Sequence, residues 1–410
     1  MNKSFYYKND LEKDKGKKED SEEEKEKEKE KEDSEEERED VEEEEEKEDE
    51  EKLNRPKEKE ENENTNNPNN FHMDCRISEK LFTDNFYNNR ACIFESHKDN
   101  NIYVAYGIKS FDLKGYDIIY DKYFIIKQKL HNKNFDSIRH FYYEREKKDL
   151  LITASLDSHV KIINFNKEES EIIIDLNFDS KERRIINTAY FINNFIMVPF
   201  ANSKNGTVHF YEFKPYSLIK RYEYKGCLQE NAGFILGLSQ YYCKKDNLYY
   251  VLVANLEGIF SYSFDNKANS KLHHKFIPIL SEKEKENNGF DEAYVIEKND
   301  SFILIGPCFY YGYLFFWNFF NGDLLSSILI DSGISDICLW NNDYIFASLN
   351  HSTSQFSLIN INTKKIEKNF TVEDEDPRGC GIKVYKNDFK ESYLISFSIK
   401  GNLDLYSLKE

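Results

Sequence analysis

Adjacent histidines, a run of carboxylates and a pair of arginines are the places where this sequence could do chemistry by residue type and spacing. His273 and His274 stand side by side. Two imidazoles suit a borderline divalent cation, but neighbours on an extended strand point to opposite faces, so no metal site is expected there. Residues 374–376 read Asp-Glu-Asp before Pro377. Such an oxygen-rich set could take a hard cation, yet acidic residues ahead of proline also build solvated turns, and a turn is the expectation. The sequence holds no nucleophile elbow, no His-Glu-x-x-His, no phosphate loop and no glycine-rich nucleotide fingerprint. The expectation is therefore no catalytic residue, no metal ligand and no cofactor, in a chain that binds partners and does not catalyse a reaction.

Asp157 has a more specific setting. It lies in LLITASLDSHVKIINFN, residues 150–166. An apolar run ends in the small Ser155, a tight turn carries Asp157, and a second run covers Val160 to Phe165. A carboxylate placed this way can accept hydrogen bonds from the turn and from neighbouring strands.

The elements that hold such a turn must be strands. Residues 71–410 show almost no helical periodicity and read as short β-rich runs separated by Asn, Asp, Lys and Gly clusters. The half-unit around Asp157 recurs, and each copy ends in a large apolar residue followed by a small or polar one. These pairs are Phe111-Asp112, Ile163-Asn164, Tyr211-Glu212, Tyr262-Ser263, Trp317-Asn318, Ile359-Asn360 and Tyr406-Ser407. The spacings run from 42 to 55 residues, slightly longer than the ~40–45 residues of a propeller blade with loop insertions left out. A four-stranded unit cannot bury both faces alone, so seven copies imply a closed ring in which each unit packs on its neighbours.

In the second unit, residues 138–143 are expected innermost and 171–176 outermost; in the sixth, 334–340 and 365–370 take those places. The last unit runs out after its third strand, at Glu410. A segment near residues 73–82, ahead of an innermost strand at 91–94, is placed to supply the fourth.

This pattern resembles the WD40-repeat family, in which a strand, a turn with a buried Asp and a strand ending in Trp-Asp recur. The resemblance covers residues 71–410 and implies an all-β, seven-bladed β-propeller that docks proteins. It assigns structural roles to Asp157 and Trp317. The face carrying the turns between second and third strands is then the expected partner surface, with Asp157, Ser158, Lys204, Asn205, Glu257, Tyr311, Gln355 and Lys400 on it. Two functional signatures of related propellers are not matched. A phosphoinositide-binding motif needs Arg-Arg-Gly, whereas Arg183-Arg184 is followed by Ile185. A ubiquitin-ligase receptor signature needs Asp where Asn164 stands.

Charge separates the chain into two parts. The formal charge is −19, and residues 1–70 carry 31 acidic against 16 basic groups, leaving only −4 on residues 71–410. From residue 11 to 70 no aromatic occurs, so this stretch cannot bury enough surface to offset the entropy of ordering it. It is expected to be a charged low-complexity arm. The alternation in residues 19–52 suits a solvated single helix, residues 24–31 resemble KEKE-type association segments, and residues 64–70 read as an Asn-rich linker. Nucleic acid is excluded as a direct partner by the sign of the charge; basic proteins such as histones or ribosomal proteins would suit the arm.

Seven scattered cysteines without a C-x-x-C pair indicate free thiols in a reducing compartment, cytosol or nucleus. The N-terminal residues show no apolar core of secretory length. Residues 301–322 form an uncharged window, but Gly306, Pro307 and Gly312 interrupt it. Two buried strands joined by a turn are expected there in place of a membrane span. A monomeric propeller completes the expectation.

Overall fold

The computed structural model describes residues 71–409, apart from 81–90, 109, 179–188, 201–205, 216, 218–220, 229–234, 282–288, 291, 299, 309–310, 331–332, 351–354, 372–378, 387–390 and 399–400. The charged arm and linker, the Lys181–Arg184 run and the acidic run at 374–376 lie outside the described residues.

Twenty-eight strands form seven four-stranded antiparallel sheets, and no helix occurs among the described residues. Six sheets are built from four consecutive strands, so each blade is a local meander. The seventh is discontinuous in sequence. Its strands β26 (Gly379–Lys386), β27 (Ser392–Ser398) and β28 (Asn402–Lys409) are completed by β1 (His72–Lys80). β1 runs antiparallel to β28, from Met73 opposite Leu408 to Lys80 opposite Asn402.

Burial follows position within each blade. The second strands are the most buried, β3 (Ile102–Gly107) and β11 (Phe195–Phe200) along their whole length, because neighbouring blades cover both faces. The outermost strands alternate: in β25 (Lys365–Phe370) exposed and sheltered residues take turns. Seven apolar cores result, one between each pair of adjacent blades, including the pair that joins the last blade to the first. The first blade, 91–127, and the second, 135–177, share the core of Phe94, Tyr103, Phe135 and Phe165. The last and first share Ile395, Phe397, Val104 and Tyr106. Closure of the ring is thus an apolar contact as well as a strand pairing.

The uncharged window at 301–322 forms two strands, β19 (Ser301–Pro307) and β20 (Tyr313–Asn318), with Gly312 at φ 67° in the turn. No helix among the described residues is long and apolar enough to cross a membrane. Gly306 is required here by close approach, since a Cβ on it would collide with Ile259 and the Trp317 ring.

The repeat has a register mark of its own. In blades two to six the pairing between third and fourth strands slips by one residue just before Ile163, Tyr211, Tyr262, Trp317 and Ile359. In the seventh blade the extra residue lies on β1, opposite the step from Leu405 to Tyr406. A bulge adds twist to the outer edge, and here it recurs at the degenerate Trp-Asp position. The first blade departs from expectation. Phe111 is not on a strand; it sits in a turn at φ 63° ahead of β4 (Leu113–Asp117). Asp117 pairs with Tyr103 as Asn164 pairs with Leu150, so Tyr116-Asp117 holds the position assigned from sequence to Phe111-Asp112.

Candidate functional site

Turns between second and third strands all leave the sheets at the same end of the ring, because every blade has the same strand order. In the second blade this turn joins β7 (Lys148–Ser155) to β8 (His159–Asn164). Ser155 is buried and its hydroxyl donates to the Lys133 carbonyl at 3.2 Å while accepting the Asp157 N–H at 3.2 Å. Asp157 then turns inward. Its carboxylate accepts the N–H groups of Asn132 (2.8 Å) and His159 (3.1 Å) and faces Nδ1 of His131 at 3.1 Å. Nε2 of His131 lies 2.9 Å from the Thr153 hydroxyl. A carboxylate can only accept, so Nδ1 of His131 carries the proton and Nε2 accepts from Thr153. Burial alone would raise the Asp157 pKa, but these donors outweigh it and hold the carboxyl well below its usual range. His131 was not singled out from sequence because Leu130, and not Gly, precedes it. Its distance of 26 residues ahead of Asp157 is the only local signal.

The other expected face residues differ in what they present. Ser158 is partly exposed at φ 67°, Glu257 is exposed, and Tyr311 packs partly against the core between the fourth and fifth blades. Gln355 is 1% exposed, so its side chain faces the interior and not the solvent. Lys204, Asn205 and Lys400 lie outside the described residues. Leu156 and Leu256, which precede Asp157 and Glu257, are 39% and 45% exposed; sequence patterning passed over them because each extends an apolar strand. Trp317 is buried among Phe276, Phe290 and Phe315.

A second cluster occupies the axis. Arg139 on β6 (Phe135–Tyr143), innermost in the second blade, pairs with Glu292 beside β18 (Tyr294–Lys298), innermost in the fifth. Innermost strands three blades apart can meet only across the channel. Tyr294 donates its hydroxyl to Glu292 at 2.8 Å and approaches Asp336 on β22 (Gly333–Leu339) at 3.5 Å. Asp336 also accepts the N–H of Ile382 at 2.9 Å. Burial, followed by the Asp336 charge, pushes the Tyr294 hydroxyl and the Cys338 thiol well above their ordinary values. The channel therefore holds protonated phenol and thiol groups beside a charge-paired arginine, and no activated nucleophile among these.

His273 and His274 lie on β17 (Ser270–Phe276), and the outer-strand bulge falls between them and their partners: Ser261 pairs with His274 and Tyr262 with Leu272. The bulge brings the rings to 4.4 Å, so they do not point to opposite faces as an unbroken strand would require. His273 faces the Ser261 hydroxyl at 3.1 Å. Burial, reinforced by His274, depresses its pKa to about 4. Among the described residues one group of potential metal ligands does assemble, at the opposite end of the ring from the Asp157 turn: His97, His140 and Asp149. It was invisible in sequence because the three residues come from two blades.

Acid should expose the neutral histidines. Burial also depresses His131 below the usual histidine value. A depressed folded-state pKa means that the unfolded chain takes up protons first, near pH ~6.5. The stability these two residues contribute is complete above that pH and is lost as pH falls toward the folded values, about 4 for His273. Asp157 adds a further loss below about pH 4, where the unfolded carboxyl protonates. The urea midpoint is expected to drop between pH 7.5 and 4.5, and less steeply in His273→Asn; a flat profile would contradict this.

Fold and axis together define a seven-bladed β-propeller whose channel is crossed by the Arg139–Glu292 ion pair. No family model matches the chain, and no curated protein matches it. Solved structures do. A chain of the mitotic checkpoint complex crystal structure superposes with a TM-score of 0.59 at 10% identity, covering 88% of this chain and 98% of its own. A chain in the crystal structure of BBS1N in complex with ARL6DN gives 0.58 at 11% identity, with 82% and 97% covered. At such identities the likeness is one of fold.

Proposed function

We propose that this chain is a WD40-like propeller acting as a non-catalytic scaffold or adaptor within a multiprotein complex. The observation that carries this reading is the turn face, where a closed ring presents exposed Leu156 and Leu256, the latter beside exposed Glu257. The two structural neighbours named above come from crystals of protein complexes, which supports protein partners as a class. The propeller acts as a monomer that docks heterologous proteins, in cytosol or nucleus. It needs no cofactor and makes no direct contact with nucleic acid.

The test is affinity purification of the tagged full-length chain beside a Leu156→Lys/Leu256→Lys variant. Expected is a defined set of stoichiometric proteins with the wild type, lost in a variant that melts normally. Recovery of the same set by both would move the docking surface elsewhere, and no stoichiometric protein with either would overturn the scaffold reading.

A second reading rests on the net charge of −15 on residues 1–70. An acidic arm attracts basic cargo through long-range electrostatics, as an assembly chaperone for histones or ribosomal proteins would require. Binding of such proteins should weaken with salt and vanish when residues 1–65 are removed.

A further inference from the structure

Among the described residues, one set of side chains has the composition and spacing of a transition-metal site. His97 lies in the turn that follows β2 (Ala91–Glu95) of the first blade, His140 on β6, and Asp149 at the start of β7. Oδ1 of Asp149 is 2.9 Å from Nε2 of His140 and 3.3 Å from Nδ1 of His97. One ligand atom from each residue lies within 4.8 Å of the other two. Tetrahedral coordination with bonds of about 2.0–2.1 Å separates neighbouring ligand atoms by about 3.3 Å. Two of the three separations therefore already fit, and the third, between the two imidazoles, is within 4.8 Å.

The surroundings hold the ligands in place. Oδ2 of Asp149 accepts the Ser96 hydroxyl at 3.0 Å and the His97 N–H at 3.0 Å, which aims Oδ1 at the two imidazoles. The His140 ring stacks on Phe94 at 4.4 Å and the His97 ring on Tyr142 at 3.8 Å. Such outer contacts orient ligands in metal proteins. The Asp149 side chain is 3% exposed and that of His140 11%, whereas that of His97 is 50% exposed. A buried base with one solvent-facing ligand gives an entry path and leaves room for a water. Lys383 donates its Nζ to the Ile93 carbonyl at 3.3 Å.

We propose that His97, His140 and Asp149 bind a divalent first-row transition-metal ion, zinc in class, that clips the first blade to the second. Two neutral imidazoles and one carboxylate are borderline ligands and do not suit calcium or magnesium, which take oxygen. Each imidazole turns its lone pair to the ion in place of its N–H, so binding requires a tautomer change and no net loss of a histidine proton. The ion keeps a net positive charge and an open position toward solvent.

The test uses the full-length chain, reduced and stripped with a chelator, titrated with Co2+ and then Zn2+. Expected is one Co2+ per chain with visible d–d bands and no thiolate charge-transfer band, displaced by Zn2+, together with a Zn2+-dependent rise in melting temperature. His97→Ala alters only a half-exposed ring, so it should fold while weakening Zn2+ at least about 10- to 100-fold. His140→Gln is the second variant. Absence of a 1:1 complex at micromolar metal, thiolate bands in the Co2+ spectrum, or equal binding by wild type and His97→Ala would each overturn the site.

Discussion

Removing residues 71–83 is expected to abolish cooperative folding of the ring, whereas removing residues 1–65 leaves its melting temperature unchanged. The first deletion takes away β1, the outermost strand of the seventh blade, and turns β28 into an unpaired edge. It also removes Phe71, which is 5% exposed and lies edge-on to Trp340 at 5.5 Å and to Tyr344 at 5.0 Å. The Phe71 carbonyl accepts Lys368 Nζ at 2.6 Å, so the segment is anchored to the sixth blade as well. Truncating one buried phenylalanine costs about 3–5 kcal/mol. Added to a lost strand ladder, that approaches the roughly 5–15 kcal/mol that holds a domain folded. Phe71→Ala alone should lower stability by the smaller amount. Denaturation followed by tyrosine fluorescence and far-UV circular dichroism measures all three proteins. Equal effects of the two deletions would mean that β1 does not close the ring.

The closing strand was legible as a β-rich run ahead of the first unit's innermost strand, and β1 pairs with β28 there. Blade count was legible in the repeat itself: Trp317, Ile359 and Tyr406 recur at the same step of each unit, and a sheet buried on both faces forces that repetition. What the sequence hid was relational. His131 needs Asp157 and Thr153 to have a meaning, and His97 needs two residues of another blade. The bulge at His273 reversed an expectation built on strand alternation, because one inserted residue changes which way the next side chain points. Gln355 was placed on the surface by its turn, but burial is set by how the neighbouring blade packs, which no local pattern records. The first blade was misread for another reason. Phe111-Asp112 matches the apolar-polar signature five residues early, yet a left-handed turn there cannot be part of a strand.

The correct pair, Tyr116-Asp117, carries the second large prediction. Asp117 is fully buried, and its Oδ1 accepts the N–H groups of Ile119 and Tyr120, each at 3.1 Å. Its Oδ2 lies 2.5 Å from Nζ of Lys167, which follows the third strand of the second blade. The lysine also approaches the rings of Tyr103, Tyr120 and Phe124 at 5.3–5.9 Å. One inter-blade ion pair is therefore set in an aromatic pocket at the outer part of the first interface. Breaking such a pair from one side strands a charge away from water and costs about 3–5 kcal/mol. Lys167→Met should destabilise by an amount toward the lower end of that range, because its own side chain is 33% exposed and water can reach the remaining carboxylate. Asp117→Ala should cost more, since it also releases two backbone N–H groups that each lose an acceptor. The decisive measurement is the double variant Asp117→Asn/Lys167→Met. It restores neutrality and an acceptor for the turn, so its urea midpoint should lie above that of Lys167→Met. A double variant no more stable than Lys167→Met would mean that the stranded carboxylate is not what the single substitution costs.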